Sequence, residues 1–359
     1  EGGCSGPFKV ASYGGGKLLK LVPNTYWEAA WQKLTITEVD RPAFAKIDDE
    51  YTAYDKAGQF DFTDVPAGQY SLARSQDDFN EVPTLSTSYF GLNFDKAPFD
   101  NVLIRRAFDL ALNKQILVDR ILNGGASPTN HIIPRGMPGF DTNLVNPPPD
   151  STESLTGNPA AASSLIQQAA QQCKGTATPP DFCPYILNAA QSQEIDIMYD
   201  SNSDTDKSIT TAAANSWAQV LNLNVKAAPS NLPTSSYYGN ITPGGSYQAW
   251  SIGWIADYPD PQDWTSLQFT HSPLAYNNAS DVNDSNLDHL MAKADTDLNP
   301  DRMATYNQIE QDLVNLVPWI PYAQGKAIWR QRSWVHGFGL NSLLSMTDVN
   351  WPNVYITQH

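Results

Sequence analysis

The stretch YQAWSIGWIADYPDPQDW (residues 247–264) decides how the rest of the chain is read. Its first half is a run of apolar and aromatic residues of strand length. Its second half changes character, because Pro259 and Pro261 fix φ and stop the strand in a stiff loop. Asp257 stands at the junction. In α/β proteins the carboxyl ends of strands face the crevice where ligands bind, so Asp257 is a candidate anchor for a cationic group. The competing account is a loop-capping Asp that accepts nearby backbone N–H groups. Gly253 lets another backbone approach closely. Trp254 packs either on a ligand or in the core, and Asp260 and Asp263 read as loop residues.

Upstream and downstream, strands and helices alternate. PFKVASY and KLLKLVPN read as strands around the turn Gly14–Gly16, and LTITEVD (34–40) alternates as a half-buried strand does. Residues 43–58 read as a helix and QFDFTDVP (59–66) as a strand. TSYFGLNFD (87–95) is a strand, followed by a helix capped at Asp100 or Asn101 with Leu103, Ala107, Leu110 and Ala111 on its apolar face. Arg105 and Arg106 fall on this helix and read as a solvated face. Asn113 caps KQILVDRIL, and Gly124 and Gly125 stop it. A Pro- and Gly-rich loop fills 127–150, and Asn158–Pro159 starts another helix. Then come the strand EIDIMYD (194–200), a helix over 206–221, the strand LNVKAAP, helices near 286–297 and 301–316, and the strand KAIWRQ. This order predicts an α/β protein with mixed sheets.

The 359 residues exceed one ordinary core and suggest two lobes. With 41% apolar residues the chain folds, and no apolar run approaches the roughly 20 residues of a membrane span. A net charge of −16 repels polyanions, so no nucleic-acid partner is expected. The five His residues lack metal-ligand spacing, DSNSDTD (200–206) lacks the Gly and the closing acid of a calcium loop, and GGGK is no phosphate loop. No metal or cofactor is expected. GxSxG and HExxH are absent, which leaves enzyme readings little support. Cys173 and Cys183 bracket CKGTATPPDFC, a spacing that suits a disulfide across a surface loop, stabilising by about 3 kcal/mol. Two separate buried thiols are the alternative. A disulfide implies an oxidising compartment, and Cys4 is left over.

Four segments in order resemble family 5 of the extracellular solute-binding proteins, the peptide and nickel type of ABC importers. They are SGPFKVASY with LVPNTYW, residues 89–140, GWIADYPDPQDW (253–264) and VPWIPYAQGKAIWRQRSWVHGF (317–338). The resemblance implies a periplasmic-binding-protein type II-like fold of two lobes with mixed sheets. It implies that residues 87–327 form lobe II, and that 1–86 with 328–359 form a lobe I lacking its N-terminal part. The lobe I remnant would then show an open sheet edge or exposed apolar surface. The implied role is capture of peptide or a related small solute outside the cytoplasmic membrane, and delivery to ABC transporter permease subunits. The implied station is peripheral to the membrane, with or without a lipid anchor.

The resemblance also assigns roles to residues. Asp257 would pair with a peptide α-ammonium; in a closed, dry site, loss of one partner would cost about 3–5 kcal/mol. The backbone of Gly253, Trp254 and Ile255 would hydrogen-bond the ligand as an added strand. Ala256, Tyr258 and Tyr89 would complete the ligand contacts. Some oligopeptide binders carry an Arg two residues before the Gly of this motif; here the position is Ser251, so no fixed clamp for a C-terminal carboxylate is implied. Oligosaccharide or metal-chelate binders of the same family, and a secreted glycosidase, remain the other readings. The 10 Trp and 16 Tyr suit either sugar stacking or plain packing.

Overall fold

Three asparagines start helices where the sequence places them. Asn101, Asn113 and Asn158 accept the N–H groups of Leu103 at 2.9 Å, Ile116 at 2.9 Å and Ala161 at 3.1 Å, which satisfies donors that a helix leaves unpaired at its first turn. The computed structural model describes residues 5–58, 60–175, 177–187, 189–272, 277–343 and 348–358. Cys4 lies outside them. The chain divides into two compact units. One comprises Glu1–Thr84, Asn123–Gly125 and Lys326–His359; the other comprises Leu85–Leu122 and Ala126–Gly325.

The first unit contains β1 (Phe8–Tyr13), β2 (Leu18–Pro23), α1 (Thr25–Ala30), β3 (Val39–Pro42), α2 (Ile47–Ala57), β4 (Phe62–Asp64) and α3 (Tyr70–Ala73). Strands β1, β2 and β3 form an antiparallel sheet in that order. Its outer strand β1 is exposed along most of its length, and Val10 (55%), Tyr13 (68%), Tyr26 (86%) and Trp31 (68%) stand in solvent. The expected strand over 34–40 is not one. Only Val39–Pro42 joins the sheet, because upstream the backbone finds other partners. Leu34 N–H donates to Glu28 Oε1 at 3.0 Å, and the Thr35 hydroxyl donates to the Val354 carbonyl. Alternation alone could not reveal that those side chains outcompete a ladder.

Strand β5 (Phe79–Leu92) leads into the second unit. Its elements are α4 (Val102–Ala111), α5 (Lys114–Ile121), β6 (Ala126–Pro128), α6 (Pro159–Gln172), β7 (Ile195–Tyr199), α7 (Asp204–Leu221), β8 (Val225–Pro229), α8 (Thr234–Asn240), β9 (Ala249–Ile255), α9 (Ser266–Phe269), α10 (Ser285–Thr296), α11 (Arg302–Leu316) and β10 (Trp319–Gln331). Past it, β11 (Val335–His336) pairs with β12 (Tyr355–Ile356) in the first unit. The sheet of the second unit runs β10-β5-β9-β7-β8, with β6 on β10. Strand β9 is antiparallel to β5 and parallel to β7, so the sheet is mixed as expected. One face packs against α4, α6 and α7 through Phe90, Phe108, Trp217, Leu165 and Ile197. Gly91 is required there: a Cβ would come within 2.3 Å of the Trp250 ring, which lies across it.

Cys173 ends α6 and is bonded to Cys183, with sulfurs 2.04 Å apart. The solvated reading of Arg105 is wrong. It is 4% exposed, lies over the Phe94 ring, and donates to the carbonyls of Phe99 at 2.7 Å and Leu316 at 2.8 Å. The carbonyls of Leu316, at the end of α11, and Phe99, in the turn before α4, draw it inward, a demand that helical periodicity does not encode.

The loop over 127–150 is held by side chains. Lys114 Nζ donates to Asp109 Oδ1 at 2.8 Å and to Asn130 Oδ1 at 2.6 Å, and Asn130 Nδ2 donates to Asn146 Oδ1 at 2.8 Å. Lys114 and Asp109 are both buried. Lys114→Met strands the Asp109 carboxylate in the interior. Urea denaturation at neutral pH is expected to show a loss of about 3–5 kcal/mol; a loss below about 1 kcal/mol would show that the pair does not hold the loop.

Candidate functional site

The end of β9 is built by its neighbours. On one side β5 pairs with it throughout, from Leu92↔Ala249 to Ser86↔Ile255. On the other side β7 reaches only Ala249 and Trp250. The phase of the ladder follows from one bond: Ala256 N–H donates to the Leu85 carbonyl at 2.8 Å. In an antiparallel ladder alternate residues turn both backbone groups to the same partner. Trp254 and Ile252 therefore face β5, while Ser251, Gly253 and Ile255 direct N–H and C=O outward. At Ser251 that edge is occupied, since the Tyr237 hydroxyl donates to its carbonyl. Beyond it, Gly253 and Ile255 are exposed, and their outward groups form an open strand edge four residues from Asp257.

The loop after β9 is stiffened by its own carboxylates. Asp263 is fully buried and accepts the Asp257 N–H at 3.0 Å. Asp260 accepts the Gln262 N–H at 3.1 Å and pairs with Arg302. The Thr265 hydroxyl donates to the Pro261 carbonyl at 2.9 Å. The Asp257 side chain is left exposed, with no ion pair among the described residues. Asp260 and Asp263 are thus loop-forming groups, as their sequence setting suggests.

Of the residues singled out in the sequence, Gly253, Trp254, Ile255, Ala256, Asp257 and Tyr258 lie together along this edge. Ile255 is 54% and Tyr258 38% exposed; Ala256 is buried. Trp254 is half-buried. Tyr89 stands opposite Ile252 on the neighbouring strand. It is 5% exposed and stacks on Trp319 with ring centres 3.5 Å apart; its place is in the packing beneath the sheet. Sequence reasoning missed Asp206. Its carboxylate accepts the Ser251 hydroxyl and, at 2.8 Å, the Asp200 N–H. The signal was Ser203-x-x-Asp206 at the start of α7, a capping pattern, but the target of the acid lies 45 residues away and leaves no local trace.

Among the described residues no group of three His, Cys, Asp or Glu side chains is arranged to hold a metal ion, and no helix is long and apolar enough to cross a membrane.

A family profile described as bacterial extracellular solute-binding proteins, family 5 middle, matches residues 3–275. The chain belongs to this family. It is 26% identical over 353 residues to the periplasmic murein peptide-binding protein MppA of Escherichia coli, covering 95% of this chain and 59% of that protein. It is 26% identical over 356 residues to di/tripeptide-binding protein 1 of Pseudomonas aeruginosa, covering 96% and 60%. Its fold matches the solved structure of Haemophilus influenzae OppA in complex with RPPGFSPFR, with a TM-score of 0.72 and 21% identity over 98% of this chain and 64% of that one. The chain therefore spans about three-fifths of the length of these relatives.

Burial pushes the Asp263 carboxyl above its usual 3.8, an effect partly offset by the Asp257 N–H and the Trp254 indole. A carboxyl raised in the folded state contributes stability that is fully present below the unfolded value and lost as the pH rises through the folded one. Asp263→Asn removes that dependence. Urea denaturation of both proteins should give a wider stability gap at about pH 4.5 than at pH 7. A gap that narrows on acidification would mean that the buried carboxyl is held charged.

Proposed function

We propose that this chain serves as the substrate-capturing component of an ABC importer outside the cytoplasmic membrane, and that it takes peptides along the open edge of β9. Binding and delivery to permease subunits, not catalysis, is its role. In this reading residues 87–327 form lobe II, and residues 1–86 with 328–359 form part of lobe I. The observation that carries it is the outward N–H and C=O of Gly253 and Ile255. An extended peptide satisfies them by adding a strand, a mode whose affinity comes from main-chain bonds and is tolerant of side chains. Family membership supports the reading, as do relatives named for murein peptides and for di- and tripeptides.

Asp257 gives the added strand a direction. Its exposed carboxylate stands where the edge ends, fixed by the Asp263 contact to its own N–H. A peptide entering with its α-ammonium at Asp257 runs antiparallel to β9. Because Asp257 is exposed in this chain, the pair is worth about 1 kcal/mol or less, well below the cost expected for a buried one.

Calorimetry with short alanine peptides tests this. Asp257→Asn is expected to weaken binding about fivefold and to leave unfolding of the empty protein unchanged. N-acetylation of the peptide should weaken wild-type binding by a similar factor and have little further effect on Asp257→Asn. Additive losses would show that the ammonium sits elsewhere.

A further inference from the structure

The turn between α5 and β6 reads ILNGGAS (121–127) and holds the one Asn-Gly pair of the sequence, Asn123–Gly124. Asn123 is exposed and left-handed, with φ 49°, and Gly124 follows at φ 85°. The backbone of Gly124 is held on one side only. Its carbonyl accepts Arg74 Nη2 at 3.0 Å, and the same nitrogen donates to Glu81 Oε2 at 3.1 Å. Among the described residues its N–H makes no hydrogen bond. The next residue is confined, because a Cβ at Gly125 would come within 2.3 Å of the Tyr70 ring. Asn123–Gly125 group with the first unit, whereas α5 and β6 on either side belong to the second. The turn is therefore part of the link that joins the units.

We propose that Asn123 is a site of spontaneous deamidation, and that the Arg74 contact restrains it. The chemistry needs a side-chain amide, the next backbone nitrogen and water. The Gly124 nitrogen gives up its proton to base and attacks Asn123 Cγ. The new N–Cγ bond closes a succinimide ring, the Cγ–Nδ2 bond breaks, and Nδ2 leaves as ammonia with the proton that Gly124 released. Water then opens the ring. Opening at Cγ gives aspartate, and opening at the backbone carbonyl gives isoaspartate, whose main chain runs through Cβ and Cγ. Nothing is oxidised or reduced. Gly124 favours the attack because it sets no side chain against its own nitrogen, and because its N–H has no bond to break first. Two other asparagines serve as internal comparisons. Asn222 and Asn231 are also exposed and left-handed, each with φ 54°, but a leucine follows each of them. Ring closure turns Gly124 about its nitrogen and draws its carbonyl away from Arg74, so the intact contact holds the nitrogen back. Each conversion adds a negative charge to the link. As isoaspartate it also adds a main-chain atom next to the confined Gly125.

The test is incubation of the whole folded chain in mildly alkaline buffer. Peptide mapping by mass spectrometry reads the exchange of NH2 for OH, and enzymatic methylation reads isoaspartate. The peptide spanning Asn123 is expected to convert ahead of those spanning Asn222 and Asn231, and to contain isoaspartate. Asn123→Gly, which suits a left-handed turn, should remove that signal while its unfolding midpoint confirms that it folds. Arg74→Ala is expected to convert Asn123 about threefold faster, the factor that an exposed charged contact supplies, with the rates at Asn222 and Asn231 unchanged. No conversion at Asn123, or earlier conversion at Asn222 or Asn231, would overturn the site. An equal or slower rate at Asn123 in Arg74→Ala would overturn the restraint, as would a like acceleration at all three asparagines, which marks general loosening of the chain.

Discussion

Strand β9 is paired along its full length by β5 but only at Ala249 and Trp250 by β7. That unequal pairing governs the second unit. Its first residues are locked into the core, with Ala249 fully buried and Trp250 lying over Gly91. Its last residues project past β7 with one side of their backbone unused. An unpaired edge of this kind attracts other strands without discrimination. Here it is short, ends at a proline-stiffened loop, and is bounded by carboxylates. Those features limit what can pair with it, so a hazard for most sheets is confined to three or four residues.

The surroundings are held by side-chain hydrogen bonds. Gln324 both donates to the Arg135 carbonyl at 2.8 Å and accepts its N–H at 3.1 Å, and Gln311 does the same for Val145. The buried Glu310 accepts the Ile133 N–H at 2.9 Å. Side chains thus replace a ladder for the long loop over 127–150, which meets the requirement that buried backbone groups be paired. The amides of α11 and β10 thus tie the loop to the sheet.

Much of this was legible in the sequence. The asparagine caps of α4, α5 and α6, the junction at Asp257 and the bond between Cys173 and Cys183 depend on residues close together in the chain, and local chemistry dictates them. What was not legible depends on distant partners. Arg105 sits on a helix face that looks solvated until the carbonyl of Leu316 is brought beside it. LTITEVD alternates like a strand, yet Glu28 and Val354 take its donors. Asp206 looks like a helix cap, and only the fold sets it against Ser251. Tyr89 belongs to a motif that marks the family, but its ring is spent on Trp319.

Strand β10 belongs to both units. Its residues Ala323–Gly325 pair with β6 in one, and Trp329–Gln331 pair with β4 in the other, some 265 positions earlier in the chain. During synthesis, therefore, neither unit can finish before residues 323–331 have emerged. The first unit must wait with β4 unpartnered while the intervening segment is made. Such long waiting times slow folding and leave edges open to stray association. For this chain the late arrival of a single strand, rather than the size of either core, sets the period during which it needs protection.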